Sequence, residues 1–279
     1  MNTIEEQTCA SVDLYGFGSV ADDAWFEEQT APRDGEEETG AHPYQVAALK
    51  SYLKGDSNAS DTAAAMTKPH NSDTKTDLQR RVLGIIEDAL FELPESNTPA
   101  LVELLKELHQ LPDEEDGKPV WKGDMSFGHS WSDKWKQPHW RGALATRDPA
   151  TRANRREAHV HRAFVEAFCA MAALGPGSED GVLPLSWGHE CLSDALECQD
   201  AVWDFEVPAA AMWIKVAGER IKEGAKNGER SWALEKKDRL WAPGPMSMDR
   251  WKFWLKRLEE IERIGKAISI AARDGLRDA

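Results

Sequence analysis

The sequence predicts an all-α protein, and three observations carry that prediction. Apolar residues recur at i, i+3, i+4 and i+7 along most of the chain beyond residue 75. Proline, glycine and small polar residues punctuate those stretches where helices start and stop. No run alternates apolar and polar residues as a half-buried strand does, and no βαβ rhythm is present. The expectation is one helical domain of about eight helices over residues 42–279, as a bundle or as stacked helical hairpins. A weakly ordered acidic arm over residues 1–41 precedes it.

The arm is rich in acids and poor in aliphatics, although Tyr15, Phe17, Trp25 and Phe26 give it anchors that could dock on the body. His42 to Lys54 reads as a helix, with Pro43 near its start and Gly55 as a stop. Residues 55–72 are rich in Ser, Asn, Asp and Ala and read as a surface loop. Leu78, Val82, Ile85, Ile86, Ala89 and Leu90 form an apolar stripe that Pro94 ends. Thr98-Pro99 opens the next helix, a capping residue followed by proline at the first helical position. Its inner face is Leu101, Leu104, Leu105, Leu108 and Leu111, and Pro112 terminates it. A further helix is expected over 150–174 with Val160, Phe164, Phe168, Met171 and Leu174 inward, broken by Gly175-Pro176-Gly177. Ser186 can cap a helix carrying Trp187, Cys191, Ala195 and Cys198 on one face. Pro208 is placed to start a helix over Val207–Glu223, with Met212, Trp213 and Val216 apolar. Ser247 caps the last and longest helix, whose stripe is Trp251, Trp254, Leu255, Leu258, Ile261, Ile264 and Ile268.

Charge is uneven along the chain. The net charge is −15 over 279 residues. Residues 1–40 hold eleven acids against Arg33 alone, so that stretch carries −10. Nucleic acid is a poor partner for such a molecule, because phosphate binding needs clustered Lys and Arg. A basic island of Arg141, Arg147, Arg152, Arg155, Arg156 and Arg162 is the local exception. It reads as a solvated helix face paired with nearby acids, or as a site for an acidic partner. No apolar run is long enough to cross a membrane, and the N-terminus lacks the pattern of a signal peptide. A cytoplasmic protein with no membrane partner is expected.

Four cysteines, Cys9, Cys169, Cys191 and Cys198, form no CxxC and no zinc-finger spacing. Cys191 and Cys198 stand about 10 Å apart along a helix, too far for a bridge. They read as small buried apolar residues. Gly16-Phe17-Gly18-Ser19-Val20-Ala21 matches G-x-G-x-x-A but lacks the strand and helix that a dinucleotide site requires. His189-Glu190 begins like a zincin motif without the second histidine. His159 and His161 would point about 160° apart on a helix and cannot chelate together. No metal and no cofactor is expected.

The chain has twelve tryptophans, and Trp131, Trp135 and Trp140 fall in one run with His139, Asp133 and Arg141. Trp121, Phe127 and His129 lie just upstream. An indole buries a large apolar area while its N–H still needs a partner. The run is therefore either an aromatic core or the wall of a pocket. In the pocket reading, His129 or His139 is the acid–base group, Asp133 fixes its tautomer, and Arg141 steadies an oxyanion. Trp121, Phe127, Trp131, Trp135 and Trp140 would exclude water and stack on a flat substrate, with His189 beside Trp187 as a further member. In the core reading the indoles plug helix ends, and the polar groups satisfy buried donors and acceptors.

The order of these features resembles the fungal domain-of-unknown-function family 3632. The paired helices near 78–111, the Phe127–Arg141 segment, the Phe164–Leu174 helix and above all the tract from Trp203-Asp204-Phe205-Glu206 to Met212-Trp213-Ile214 carry the likeness. It spans most of residues 43–260 and implies an ascomycete source, a helical body and an intracellular location. It brings no catalytic role. The functional expectation is a protein that binds a small apolar or aromatic molecule. Its chemistry would be cofactor-independent proton transfer of the cyclase, isomerase or dehydratase type in fungal secondary metabolism. The alternative is a non-catalytic helical scaffold that recognises a protein partner.

Overall fold

The computed structural model describes residues 23–30, 40–69, 73–112, 121, 127–135, 149–174 and 181–277. The protein is all-α. Ten α-helices are present among the described residues, and the only extended pairing there is a single bridge between Ala173 and Gly181. The chain divides into two compact units, Met1–Thr98 and Pro99–Ala279.

The first unit is built from α1 (Asp23–Glu28), α2 (Pro43–Leu53), α3 (Ala59–Met66) and α4 (Lys75–Glu92). The helix α1 lies within the segment read as a weakly ordered arm, at the Trp25–Phe26 anchor. Phe26 is buried, the Trp25 indole N–H donates to Glu92 at 2.8 Å, and Lys50 and Lys54 both reach Asp23. Tyr15 and Phe17 lie outside the described residues. The helix α3 replaces the expected loop. Asn58 caps it by accepting from the Asp61 N–H at 2.8 Å, and Ala63 and Met66 are buried in the same unit as Val46 and Leu49 of α2. Thr74 and Asp77 exchange backbone and side-chain bonds at the start of α4, a capping box. Leu93 is extended because it precedes Pro94, which ends the helix as expected. Buried Asp73 ties the unit together by pairing with His42 at 2.7 Å and with Arg81 at 3.3 Å.

The second unit holds α5 (Thr98–Gln110), α6 (Phe127–Trp135), α7 (Pro149–Met171), α8 (Ser186–Leu196), α9 (Trp203–Asn227) and α10 (Met248–Arg277). Of the five leucines predicted for the inner face of α5, Leu101, Leu104, Leu105 and Leu108 are buried, while Leu111 lies just past the end of the helix and is half-buried. The buried face of α7 differs from the expected one. Ala163, Ala167 and Ala170 point inward, Phe164 and Phe168 are half-buried, and Met171 is exposed. Small residues win this face because α7 packs along α9, whose facing positions are Ala209, Ala210 and Ala217. Arg152 grips Asp204 with paired bonds of 2.7–3.0 Å, so the N-terminal turns of α7 and α9 lie side by side.

The helix α9 starts at Trp203, with Pro208 inside it rather than at its head. Glu206 accepts a bond from the Val202 N–H and so caps the added turn, which offsets the backbone bond that Pro208 cannot make. At the other end Gly228 takes the left-handed conformation at φ 67° and closes the helix on Gly224. Trp213, Ile221, Trp251, Trp254 and Ile261 complete the core with Leu192, Leu196, Leu234 and Met246. Of the predicted α10 stripe, Leu255, Leu258 and Ile264 are half-buried, and the Ile268 side chain lies outside the described residues.

Glu197 and Arg250 cross-link this unit. Both are fully buried and share two bonds of 2.7 Å. The Glu197 carboxylate also accepts from the Trp254 indole at 2.7 Å and the Ser193 hydroxyl at 3.0 Å. Nη1 of Arg250 donates to the carbonyls of Leu234 and Gly244. The irregular segment 228–247 is thereby tied to α8 and α10. Among the described residues, no helix is long and apolar enough to cross a membrane.

Candidate functional site

The helix α6 carries two i, i+4 pairs on opposite sides. Phe127 and Trp131 face inward, both buried, with ring centroids 5.5 Å apart. His129 and Asp133 are offset from them by two residues, which is about 200° of turn. Nε2 of His129 lies 3.2 Å from the Asp133 carboxylate, and both side chains are about half exposed. The expected imidazole–carboxylate pair therefore forms, and it sits on the face of α6 away from the buried indole.

The Trp131 N–H donates at 3.2 Å to Glu166 on α7, which also accepts from Arg162 at 2.6 Å. Burial raises the Glu166 pKa, opposed by the Arg162 charge and by the bonds from Arg162 and Trp131. The sequence reading overlooked Glu166. Its spacing of four from Arg162 was the available signal. Trp121 is half-buried, and the backbone of Trp135 ends α6. The side chain of Trp135 and the whole of His139, Trp140 and Arg141 lie outside the described residues. Of the basic island, Arg152 and Arg162 are committed to Asp204 and Glu166, Arg155 and Arg156 are exposed, and Arg147 is outside the description.

The buried face of α8 is rotated from the predicted one. Gly188, His189, Leu192, Ser193, Ala195 and Leu196 point inward, and Trp187 and Cys191 are half-buried. The rotation follows from Gly188, which lies flat against the Trp213 ring. A Cβ there would stand 2.5 Å from Cε3 of that ring, closer than real Cβ atoms approach. His189 consequently lies in the interior, 2% exposed, beside a helix position in direct contact with Trp213.

Both ring nitrogens of His189 and the indole nitrogen of Trp213 are buried and have no hydrogen-bond partner among the described residues. Burial lowers the His189 pKa to about 4, assisted by the charges of Arg250 and Arg220, so the ring is neutral near pH 7. A neutral imidazole offers one donor and one acceptor, and Trp213 adds a donor. Three polar atoms without partners in an apolar core are unusual, because such groups are normally satisfied.

Other titratable groups nearby are quiet. Burial pushes the thiols of Cys169 and Cys191 up, with the Glu166 charge adding to it, so neither is a thiolate at neutral pH. Cys169, Cys191 and Cys198 are free. His159 is lowered to about 4 by burial and by Arg162. Among the described residues, no group of three or more His, Cys, Asp or Glu is placed to hold a metal ion.

No curated protein matches the chain, and no solved structure does. The region that contains α5 to α9, Glu166, His189, Glu197, Trp213 and Arg250 coincides with the match to one family model. That model, described as "Protein of unknown function (DUF3632)", covers residues 87–258, more than half of the chain, and the chain belongs to this family.

Proposed function

We propose that this protein binds a small molecule beside α8 and α9, where His189 and Trp213 supply the polar contacts. One observation carries the reading. The three ring nitrogens of these residues are buried without partners, within an apolar shell of Leu192, Leu196, Ala209 and Ala217. An arrangement of few polar groups in an apolar surround is the general form of a ligand site. The test is intrinsic tryptophan fluorescence during titration with a library of small cyclic molecules, in the wild type and in Trp213→Phe. A saturable change that the variant loses supports the reading. A library with no saturable response sinks it.

A proton-transfer reaction of the cyclisation, isomerisation or dehydration type through His129 and Asp133 is a separate proposal, tied to the half-exposed face of α6 and not to the buried ring nitrogens. Their 3.2 Å contact is the arrangement that fixes an imidazole tautomer.

A second reading, a non-catalytic partner-binding protein, is favoured by Trp232. It is 57% exposed, while Ala233 and Leu234 in the same turn are fully buried, so the indole is held out on a fixed support. Exposed aromatics on rigid elements are typical anchors of interfaces. A pull-down in which Trp232→Ala captures the same proteins as the wild type would count against it.

A further inference from the structure

We infer that the Trp232 turn docks on the same turn of a second copy of this chain, the two meeting about a two-fold axis. This rests on the partner-binding reading of Trp232 above and adds what the partner is.

The turn is rigid before any partner arrives. Ala233 and Leu234 are fully buried, and the Ser231 hydroxyl accepts from the Ala233 N–H at 3.3 Å. The Leu234 carbonyl accepts from the Gly244 N–H at 3.2 Å and from Arg250 at 3.3 Å. The Glu229 carbonyl accepts from the Met246 N–H at 2.7 Å. Residues 229–235 and 244–250 are thereby locked together. The indole is held as well: the Lys236 ammonium lies 5.5 Å from its ring centre while bridging Glu190 at 3.1 Å and Asp194 at 3.0 Å on α8. An aromatic fixed in this way loses little freedom on binding, so more of its buried area appears as affinity.

The charges around the indole choose the partner. The exposed ionised side chains from 230 to 238 are Arg230, Glu235, Lys237 and Asp238. Two are cations and two are carboxylates, so this rim carries no net charge on a chain whose total is −15. A surplus of that size makes two copies repel each other, and a neutral rim is where they meet with least repulsion. The rim does not select a strongly charged partner of either sign. It is self-complementary instead. A two-fold axis turns the cations of one copy towards the carboxylates of the other, as an isologous interface requires. Arg230 and Glu235 are joined only at 3.3 Å, with side chains 76% and 47% exposed, so they can exchange partners at little cost.

The experiment is sedimentation velocity of the full chain over a concentration series. A reversible monomer–dimer equilibrium is expected. Trp232→Ala is expected to weaken it at least about tenfold, as for an aromatic anchor at the centre of an interface. Lys237→Glu and Glu235→Lys, both at exposed positions, test the rim. Each alone sets like charges across the axis and is expected to weaken self-association, while an equimolar mixture of the two presents rims of opposite charge and recovers the dimer. A wild-type chain that stays monomeric at every concentration overturns the inference, as does a dimer that all three variants leave unchanged. A dimer lost in Trp232→Ala but not recovered in the mixture overturns the two-fold pairing. If the chain is monomeric and Trp232→Ala loses a protein that the wild type captures in a pull-down, the partner-binding reading stands with a different occupant. If that pull-down is unchanged too, both fail.

Discussion

The carboxylate of Glu197 and the guanidinium of Arg250 meet in two parallel bonds of 2.7 Å, with neither side chain reaching solvent. Removing one partner leaves the other charged and buried. Arg250→Met or Glu197→Leu alone is expected to cost about 3–5 kcal/mol, whereas the double substitution recovers a large part of that loss. Urea unfolding of the three variants checks this. If the double variant is as unstable as the worse single one, the cost comes from lost packing and from the carbonyls of Leu234 and Gly244, not from the stranded charge.

Stability is expected to fall in mild acid because of His189. Its pKa is about 4 in the folded protein and about 6.5 when exposed, so between these values the unfolded chain binds a proton that the folded one refuses. The contribution is complete above pH 6.5 and lost as pH drops towards 4. A shift of that size corresponds to about 3 kcal/mol. His159 acts in the same window and direction. Glu166, whose pKa is raised, acts in the opposite sense: its contribution is full at low pH and declines as the pH climbs from its unfolded value through its folded one. Comparing the pH dependence of unfolding in the wild type and in His189→Phe isolates the first effect. An unchanged slope between pH 6.5 and 4 would rule out the buried neutral ring as its source.

The two faces of α6 are expected to respond differently to substitution. Trp131→Phe removes a donor from buried Glu166 and is expected to cost about 1–3 kcal/mol. His129→Ala and Asp133→Ala disturb a half-exposed i, i+4 pair and are expected to change stability by no more than about 0.5 kcal/mol. Thermal unfolding reads both. Loss of turnover in the latter two variants, at unchanged stability, is the result that proton transfer requires.

Gly188→Ala is expected to destabilise by about 1–3 kcal/mol, because the added methyl must displace the Trp213 ring or push α8 away from α9. Tryptophan emission should shift together with the unfolding midpoint. A variant that keeps both wild-type values would mean that this contact is looser than the structure has it.

Helix identity was readable in the sequence wherever a wide apolar stripe met clear punctuation. The segments α4, α5 and α10 show it: leucine and isoleucine at helical spacing, bounded by Pro94 after α4, Pro112 after α5 and the Ser247 cap before α10. Which face turns inward was less legible. In α7 the large Phe164 and Phe168 suggested the core side, yet close packing against the alanines of α9 selected Ala163, Ala167 and Ala170. In α8 a glycine set the rotation, and that depends on Trp213, distant in sequence. The site was legible only in part. The His129–Asp133 spacing announced their contact. The partners of Trp131 and Trp254, by contrast, are single carboxylates 35 and 57 residues away, and no local pattern marks such pairings.

The cross-link made by Arg250 also orders events during synthesis. Glu197 leaves the ribosome 53 residues ahead of its counter-ion. Until α10 emerges, that carboxylate lacks its guanidinium, and drawing it inward is opposed by its hydration. The nascent chain can form α7, α8 and α9 early, but it cannot seal them around Glu197. Final packing of this region therefore waits until residue 250 has been made, and a polypeptide released before it would remain an open, unsealed intermediate.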